Sequence, residues 1–248
     1  MTAIPPPTDA FQTACSDFGL ELAFDELARH ADFLRLLYDT NATTNLTAIR
    51  DPAEAWLKHT FDALTLLPAL EQASPAEDRL SLCDVGAGGG VPGIPLAIAR
   101  PDIDITLLEA TGRKCDFLRA AAETLGLANL RIVQGRAETV GGFPAGELRD
   151  RFDAVCARAL GRVSVAAELC VPLARERGLV LLIKGQKADE ELAEAKRALH
   201  MLHVAHAGTI DTPTGKIVVL EKSRRTPRVY PRRDGEPKRA PLGVSRGS

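Results

Sequence analysis

Hydrophobic positions recur with two different periods along this chain, and the period changes near residue 75. In the first part, apolar residues follow the spacing of an amphipathic helix, at Leu20, Phe24, Leu27, Ala31, Leu34 and Tyr38. A second helix begins at Asp51-Pro52-Ala53-Glu54, where Asp can cap the helix, Pro fits its first turn and Glu can reach back to the cap. Residues 1–75 therefore predict a small helical unit.

Short apolar segments alternate with helical segments from residue 80 onward. The predicted strands are 80–85, 103–109, 130–134, 152–157 and 179–184, and the predicted helices are 93–100, 112–126, 163–175 and 187–199. Such alternation is typical of an α/β fold with a mostly parallel sheet and helices on both faces. Two further strands, near 201–207 and 216–222, follow each other without a helix and predict an antiparallel pair at the edge of the sheet.

Composition limits the possible classes of protein. The 248 residues are 45% hydrophobic and 26% charged, which is ordinary for a folded protein of one large or two small domains. The longest uncharged run, 85–99, is shorter than the ~20 apolar residues of a membrane span, and no apolar segment predicts a signal peptide. The five cysteines are scattered without zinc spacing and predict buried free thiols. We expect a cytoplasmic, monomeric protein without a metal site.

Charge is distributed unevenly, although the net charge is only −2. From Lys222 to the end, nine Lys and Arg residues oppose Asp234 and Glu236, so this segment carries +7 and residues 1–221 carry −9. A basic segment on an acidic body predicts a polyanionic partner such as nucleic acid. Residues 224–248 predict a basic tail that follows the folded domain and binds phosphates without reading sequence.

A glycine-rich turn follows the first predicted strand. The run Asp84-Val85-Gly86-Ala87-Gly88-Gly89-Gly90 ends this strand and precedes a helix. Glycines at such a turn let a ligand approach the backbone, because no Cβ intervenes. The dinucleotide pattern G-x-G-x-x-G, if it began at Gly86, would require glycine where Val91 stands. An acidic residue followed by G-x-G-x-G instead fits the S-adenosylmethionine-binding turn of Rossmann-like class I methyltransferases.

The next two strands end in residues that fit the same ligand. Glu109 ends the second strand and Ala110-Thr111 follows it, and a carboxylate at this place can accept both ribose hydroxyls. The third strand ends in Gln134-Gly135-Arg136-Ala137-Glu138, which is placed to border the adenine. A solvated acidic residue and an ordinary loop are the alternatives, and the agreement of position and spacing favours the ligand site.

The fourth strand bears on the type of reaction. It reads Asp153-Ala-Val-Cys156-Ala-Arg158-Ala159 and lacks the Asn/Asp-Pro-Pro-aromatic run usual in enzymes that methylate exocyclic amines. Cys156 has no preceding proline, so it predicts a buried side chain rather than the nucleophile that methylation of cytosine C5 requires. A ring nitrogen with a free lone pair, such as guanine N7, needs only alignment and exclusion of water. The sequence of this strand is therefore compatible with methylation of guanine N7, but it does not identify N7 as the target.

Short motifs extend beyond the glycine turn over most of the chain. They are Asn45-Leu-Thr-Ala-Ile49, His59-x-x-Asp62, Asp84-Val-Gly-Ala-Gly88, Val91-Pro-Gly-Ile-Pro-Leu96, Arg113-Lys114, Ala157-Arg-Ala159, Lys184-Gly185 and Tyr230-Pro-Arg-Arg-Asp-Gly235. Together they resemble one bacterial family, the 16S rRNA guanine-N7 methyltransferases, also called ribosomal RNA small subunit methyltransferase G or glucose-inhibited division protein B. One departure is Ala63, where the family commonly has Ser.

The resemblance implies a function for residues 76–223 as a methyltransferase domain. It implies transfer of a methyl group from S-adenosylmethionine to N7 of one guanine in the 530 loop of 16S rRNA, with the rRNA or the 30S subunit as partner. It also implies cofactor contacts at positions of the glycine turn and of the strand ends. With the strand-end argument above, the predicted cofactor-binding residues are Asp84, Gly86, Ala87, Gly88, Gly90, Val91, Glu109, Ala110, Thr111, Arg136, Ala137, Glu138 and Arg158.

Four further residues are candidates for a substrate pocket, and no catalytic residue is assigned among them. His59 and Asp62 share one helix face, and they either contact the active face of the sheet or RNA, or hold the helix to the body. Arg158 and Lys184 end strands, where open α/β sheets bind ligands. The predicted RNA-binding residues are Lys184, Arg224, Arg225, Arg228, Tyr230, Arg232 and Arg233, of which Tyr230 could stack on a base.

Two other classes of function share parts of this pattern. A methyltransferase acting on a small molecule or a protein would use the same scaffold, and the basic tail argues against it. A non-catalytic RNA-binding protein would keep the fold without the cofactor, and the intact glycine turn and Glu109 argue against that. If the tail acts independently, deleting residues 224–248 is expected to weaken RNA binding and its salt dependence while cofactor binding stays intact.

Overall fold

The computed structural model describes residues 2–243, in which seven strands form one sheet. The strands are β1 (Ser81–Val85), β2 (Asp104–Glu109), β3 (Leu130–Gln134), β4 (Phe152–Arg158), β5 (Ala174–Lys184), β6 (Val204–Thr212) and β7 (Gly215–Lys222). They lie in the order β3-β2-β1-β4-β5-β7-β6, in which the first five are parallel and β7 pairs antiparallel with both β5 and β6. The predicted mostly parallel sheet with an antiparallel edge pair is confirmed.

Helices cover both faces of this sheet. They are α1 (Asp9–Phe18), α2 (Phe24–Thr44), α3 (Pro52–Ala55), α4 (Asp62–Leu64), α5 (Leu67–Leu70), α6 (Gly93–Ala99), α7 (Gly112–Thr124), α8 (Ala137–Val140), α9 (Val163–Cys170), α10 (Ala188–Leu202) and α11 (Glu236–Arg239). A π-helical turn, Trp56–Phe61, joins α3 to α4. Within residues 2–243, none of these helices has the length and apolar character that crossing a membrane requires.

The strands contribute to two separate apolar layers, because successive side chains point to opposite faces of a sheet. On one face, Leu82 and Leu107 pack in the same layer as Phe33 and Trp56 of the N-terminal helices. On the other face, β4 and β5 pack in one layer with α9 and α10. The helical unit predicted for residues 1–75 therefore shares its core with the sheet.

The boundary between α9 and β5 differs from the prediction. The helix predicted to reach residue 175 ends at Cys170, and β5 already begins at Ala174. Pro172 lies between them and has no N–H to continue the helical hydrogen bonds. The apolar sequence around this proline resembles a continuing helix, and only the missing donor marks the end.

The strand predicted at 201–207 is displaced along the chain. The preceding helix, α10, continues to Leu202, because this side chain extends the buried face of the helix. His203 then ends the helix in the left-handed conformation, with φ at 60°. The strand begins only at Val204 and continues to Thr212.

Residues 223–243, here called the C-terminal strap, lie against the sheet domain. Thr226, Pro237 and Leu242 of the strap are buried. The guanidinium of Arg149 donates hydrogen bonds to the carbonyl oxygens of Thr226 and Tyr230 at 2.8 and 2.7 Å. The segment predicted as a basic tail is therefore packed along its described part, and residues 244–248 lie outside the described residues.

A buried ion pair fixes the strap. Arg232 donates from Nε and Nη2 to the two carboxylate oxygens of Glu168 at 2.8 and 2.6 Å, and its backbone N–H donates to the same carboxylate at 3.0 Å. Glu168 is fully buried in α9. Arg232, predicted to bind RNA, is thus paired with Glu168 and only 17% exposed, and its contact with RNA stays a prediction.

The strand order places the functional crevice. Chain connections run in one direction from β1 to β2 and β3, and in the other direction from β4 to β5, so the order reverses between β1 and β4. Open α/β sheets bind their ligands at such a reversal, outside the carboxyl ends of the strands. The glycine-rich turn follows β1 and Arg158 ends β4, so both lie at this point.

Candidate active site

Three adjoining cavities lie along the carboxyl ends of the strands. The first has a volume of about 320 Å³ and extends from Glu109 to Glu138 and the strap. The second, of about 190 Å³, lies between the glycine turn and the N-terminal helices. The third, of about 460 Å³, lies between the ends of β5 and β7. Gly86 lines the first two cavities, Arg158 lines the last two, and Ala159 lines all three.

Most residues predicted to bind the cofactor line the first two cavities. Ten of the thirteen do so, namely Gly86, Ala87, Gly88, Val91, Glu109, Ala110, Arg136, Ala137, Glu138 and Arg158. The other three, Asp84, Gly90 and Thr111, do not line either cavity. The structure therefore brings together residues from four strand ends that are far apart in the sequence.

The glycine turn presents bare backbone to this space. Gly86 and Gly88 have φ of +73° and +55°, a region that residues with a Cβ rarely adopt. The N–H groups of Gly86 and Ala87 both donate to the carbonyl oxygen of Leu108, at 2.8 and 3.1 Å. A Cβ at Gly86 would lie 3.0 Å from Leu160, so a side chain there would crowd the wall of the cavity. The cradle is thus open because no side chain fills it.

Glu109 joins the end of β2 to the glycine turn. Its carboxylate accepts hydrogen bonds from the N–H groups of Gly88 at 3.0 Å and Thr111 at 2.8 Å. Thr111, predicted to contact the cofactor, instead orients this carboxylate. Glu109 is 7% exposed and lines the first cavity, where a fixed carboxylate can accept the hydroxyls of a ribose.

Asp84 and Gly90 have structural positions behind the turn. One carboxylate oxygen of Asp84 accepts the N–H of Gly93 at 3.0 Å at the start of α6, and the other has no hydrogen-bond partner among the described residues. Burial raises the pKa of Asp84 from 3.8 to about 7. At Gly90, an added Cβ would lie 2.5 Å from Ile94, so close packing requires this glycine. Neither residue faces a cavity, so their prediction as cofactor contacts is not supported.

Arg158 connects the π-helical turn to the sheet. Its guanidinium donates to the carbonyl oxygen of Lys58 at 2.5 Å and lies 3.2 Å from Nδ1 of His59. Burial and the neighbouring Arg158 lower the pKa of His59 from 6.5 to about 3. His59 is therefore neutral, so its Nδ1 accepts from Arg158 and its Nε2–H donates to Thr47 at 3.0 Å. The histidine therefore joins the N-terminal helices to β4, as the structural alternative expects, and it also lines the second cavity.

Asp62 lies at the wall of the third cavity. Its Oδ2 is 3.9 Å from Nη1 of Arg158, and its buried Oδ1 has no hydrogen-bond partner among the described residues. Burial raises the pKa of Asp62, and the Thr214 hydroxyl and Arg158 act in the opposite direction. A carboxylate with an unpaired oxygen at a cavity wall can accept a hydrogen bond from a ligand.

Comparison with known proteins identifies the family of this chain. The GidB family, described as rRNA small subunit methyltransferase G, matches residues 26–215. The chain belongs to this family. The ribosomal RNA small subunit methyltransferase G of Sorangium cellulosum is 48% identical over 227 residues, covering 92% of each chain. The protein of the same name from Lactobacillus delbrueckii subsp. bulgaricus is 38% identical over 240 residues, covering 94% of this chain and 99% of its own.

Solved structures of low sequence identity share this fold. Cofactor-bound Rv0187 from MTB aligns with a TM-score of 0.53 and 20% identity, covering 91% of this chain and 100% of its own. A variant of MtNAS in complex with S-adenosylmethionine aligns with a TM-score of 0.51 and 13% identity, covering 86% and 77%. These likenesses show the fold alone. Membership in the methyltransferase G family confirms the predicted enzyme class and S-adenosylmethionine as the cofactor.

The residues of the first two cavities fit this cofactor. Bare glycine backbone at the end of β1 and the fixed carboxylate of Glu109 provide a cradle for an adenosine moiety. Thr47, His59 and Arg158 border the adjoining smaller cavity, where polar groups can face the amino-acid part. Among residues 2–243, no three His, Cys, Asp or Glu side chains are grouped so that they could hold a metal ion.

Lys184 lines the third cavity, but its charge is already paired. Its ammonium lies 2.6 Å from the carboxylate of Glu191 and donates to the carbonyl oxygen of Gly161 at 2.6 Å. The side chain is 11% exposed. In this methyltransferase G protein, Lys184 therefore shapes the cavity wall, and a phosphate contact would require it to leave Glu191.

The other predicted RNA-binding residues divide by exposure. Arg224, Arg225, Arg228 and Arg233 are exposed on the strap. Arg225 pairs with Glu176 at 3.1 Å, and the guanidinium of Arg228 lies 4.4 Å above the ring centre of the exposed Phe143. Tyr230 packs against the second apolar layer, and burial raises its pKa. Its ring is thus half-buried, which leaves the four arginines as the outward-facing part of the set.

Several residues of the cavities were not among the predicted site residues. They include Leu37 of α2, Leu46 and Thr47 of the loop after α2, Gly235 and Lys238 of the strap, and Ala159 after β4. Ala159 has a φ of +56°, which is uncommon for a residue with a Cβ and is often associated with functional sites. The sequence showed no glycine or proline at position 159 that would have marked this turn.

Removing the charge of Asp84 is expected to change how stability depends on pH. With a pKa of about 7 when folded and 3.8 ordinarily, Asp84 binds a proton in the folded state that the unfolded chain has lost, so stability falls as pH rises from about 4 to 7. Asp84→Asn keeps an acceptor for Gly93 and removes this effect. The free energy of unfolding of the variant, minus that of wild type, should rise by up to about 1.4 kcal/mol per pH unit in this window.

Urea unfolding at four pH values between 4.5 and 7.5 measures this difference. His30 and His59, whose lowered pKa values act in the opposite direction, are present in both proteins and cancel. A difference that stays constant across the window would show that Asp84 is ionised throughout.

Glu109→Gln is expected to weaken cofactor binding. Gly88 and Thr111 donate to different oxygens of Glu109, and glutamine keeps only one oxygen, so one of these two hydrogen bonds is lost. The substitution also removes the negative charge that would hold the ribose. Loss of charge-assisted hydrogen bonds predicts a Kd for S-adenosylhomocysteine raised roughly 10-fold or more, measured by calorimetry. Asp104→Asn, at the opposite end of the same strand, is the matched control. An equal Kd for both variants would remove Glu109 from the cofactor site.

Proposed function

We propose that this chain transfers the methyl group of S-adenosylmethionine to N7 of a single guanine in the 530 loop of 16S rRNA. Family membership supports the rRNA methyltransferase class, and the meeting of three cavities at Ala159 supports a transfer between two bound molecules. All three cavities are formed within one chain, so we propose that a monomer is sufficient. A ribosomal substrate places the reaction in the cytoplasm.

The cofactor and the base occupy different parts of this crevice in the proposal. The first cavity takes the adenosine half and the second takes the amino-acid half. The third and largest cavity takes a guanine that has left its stack, since enzymes acting on a base commonly bind it in an extruded state. Ala159 borders all three spaces, so the methyl group and the guanine N7 meet beside its small side chain.

The transfer needs alignment more than proton chemistry. When bound, S-adenosylmethionine supplies a methyl group carried on a sulfonium. Guanine N7 has a free lone pair and no proton to lose, so positioning and exclusion of water account for the catalysis. Cys156 is fully buried, and burial raises its pKa well above 9, which excludes it as a nucleophile.

Asp62 is placed to recognise the guanine. Guanine presents N1–H and an amino group side by side, and a carboxylate can accept hydrogen bonds from both. Positive charge develops on the base as N7 takes up the methyl group, so this contact becomes stronger in the transition state than in the ground state. The Asp62 side chain is 15% exposed at the cavity wall, so the proposal places the base against this exposed part of the carboxylate.

The outward-facing arginines of the strap supply contacts to the RNA backbone. Arg224, Arg225, Arg228 and Arg233 are exposed and carry no base-reading geometry. Such contacts position the nucleic acid and weaken as salt concentration rises. The third cavity then recognises the base as guanine. The shape of the surrounding RNA determines which guanine reaches the cavity.

Methyl transfer to ribosomal RNA is the direct test of the proposal. Purified protein and labelled S-adenosylmethionine are incubated with 30S subunits, and separately with 16S rRNA, from cells that lack this modification. Borohydride and aniline treatment should then cleave the rRNA at a single guanine in the 530 loop. Labelling at another nucleotide, or at another atom of guanine, would reject the N7 or 530-loop assignment while the methyltransferase class would stand.

Asp62→Asn is expected to lower kcat/KM for the RNA with little change in cofactor Kd. A site that pairs with the N–H groups of its substrate loses a large factor when the pairing is broken, so a fall of roughly 10- to 100-fold is expected. Glu194→Gln is the control. Glu194 lies on α10, forms an exposed ion pair with Arg162 and does not line the third cavity, so kcat/KM should stay near the wild-type value.

A substrate change separates base recognition from a general effect. Inosine at the target position lacks the amino group that Asp62 would bind. Wild type should lose activity on the inosine substrate, and the further loss in Asp62→Asn should be smaller than on the guanine substrate, because the contact with the amino group is already absent. Additive losses would show that Asp62 acts elsewhere.

A further inference from the structure

The C-terminal strap forms one wall of the first cavity. Gly235 and Lys238 line it together with Glu109, Ala137 and Glu138. Neither strap residue was among the predicted cofactor contacts. We propose that the strap is a cofactor-binding element and that Lys238 contacts the adenosine half of the bound cofactor. This inference concerns the cofactor site and is independent of which nucleotide accepts the methyl group.

Three contacts join the strap to the end of β3 and to α8, which form the neighbouring wall. The N–H of Gly235 donates to the carboxylate of Glu138 at 3.0 Å. Asp234 accepts a hydrogen bond from the hydroxyl of Thr139 at 3.2 Å and lies 3.5 Å from Nε of Arg136. Because Arg136 and Glu138 themselves line the cavity, these contacts set its width on this side.

The ion pair between Arg232 and the buried Glu168 attaches the strap to a further element, α9. Glu168 is fully buried in α9, and the next residue, Leu169, lines the first cavity. Arg232 also donates to the carbonyl oxygen of Ala240 at 2.8 Å, which folds the strap around Lys238. The position of the strap beside the cavity is therefore set by buried, hydrogen-bonded groups.

The side chain of Lys238 is suited to contact both the ring and the polar atoms of a bound adenosine. Its side chain is exposed, and within residues 2–243 its ammonium has no ion pair within 4.0 Å. The long aliphatic part of lysine can cover an apolar ring while the ammonium reaches a polar acceptor. Adenosine offers both, as a flat ring with nitrogen acceptors and a ribose with oxygen acceptors.

The role of the strap reverses one expectation drawn from the sequence. Deleting residues 224–248 was expected to spare cofactor binding, because the segment was interpreted as an independent basic tail. The structure places Gly235 and Lys238 of this segment at the cavity and pairs Arg232 with a buried carboxylate. Loss of the strap would open the first cavity to solvent, so cofactor binding is expected to fall with it.

Substitution of Lys238 in the full chain tests the proposal. Calorimetry measures the Kd of Lys238→Ala for S-adenosylmethionine, S-adenosylhomocysteine and methylthioadenosine, which lacks the amino-acid part. Loss of a charge-assisted contact predicts a Kd raised about 5- to 20-fold for all three ligands. Asp234→Ala, which releases the strap from Arg136 and Thr139, should raise all three in the same direction by about 3-fold.

Arg239→Ala is the matched control, because Arg239 is the next residue, is also basic and exposed, and does not line the first cavity. Its Kd values should stay within about 2-fold of wild type. Melting temperatures without ligand check folding, and Lys238→Met, which keeps the aliphatic part, should show an intermediate loss.

Two results would overturn the proposal. Equal Kd values for Lys238→Ala, Arg239→Ala and wild type would mean that the strap borders the cavity without binding the ligand. A loss confined to the two ligands that carry an amino-acid part would place Lys238 at the cofactor carboxylate. Because only binding is measured, neither result depends on methylation of a particular guanine.

Discussion

One guanidinium group holds the two halves of this site together. Arg158 lies at the end of β4, donates to Lys58 and His59 of the π-helical turn, and lies near the carboxylate of Asp62. It can do so because His59 is kept neutral by burial and offers a lone pair. Without this contact, the N-terminal helices would lose one of their polar attachments to the sheet, and the second and third cavities would lose part of their common wall.

The sheet alone does not complete the site. Its strand ends provide the glycine turn and Glu109, as in other proteins that bind ligands at a reversal of strand order. The N-terminal segment adds Thr47 and His59, and the strap adds Lys238. Segments from both ends of the chain thus line the crevice at the strand ends and extend its walls on two sides.

Local patterns predicted the features that depend on short stretches of chain. The mostly parallel sheet with its antiparallel edge pair, the glycine turn and the position of Glu109 at a strand end followed from residues that are neighbours in sequence. Asp84 and Gly90 belong to the same motif but face inward, because a turn this tight also needs a helix cap and close packing with Ile94. The spacing of the motif does not distinguish residues that contact a ligand from residues that cap or pack the turn, because both roles require glycine or an acidic side chain.

The strap shows that local patterns cannot predict contacts between residues that are far apart in the sequence. Arg232 differs in no local respect from its exposed neighbour Arg233, and its partner Glu168 is 64 residues away in the chain. Charge counting therefore placed every arginine of this segment on the surface. Only the fold reveals which cation meets a buried carboxylate, and with it which residues reach the cofactor cavity.

The backbone at Ala159 also has a meaning for protein engineering. Holding an alanine in the left-handed region costs about 1–2 kcal/mol, and glycine would remove most of that cost. Asparagine also tolerates this conformation, but its side chain would enter the junction of the three cavities. Of these two substitutions, only Ala159→Gly would relieve the backbone strain and leave the junction of the three cavities open. The wild-type chain nevertheless carries the strained alanine.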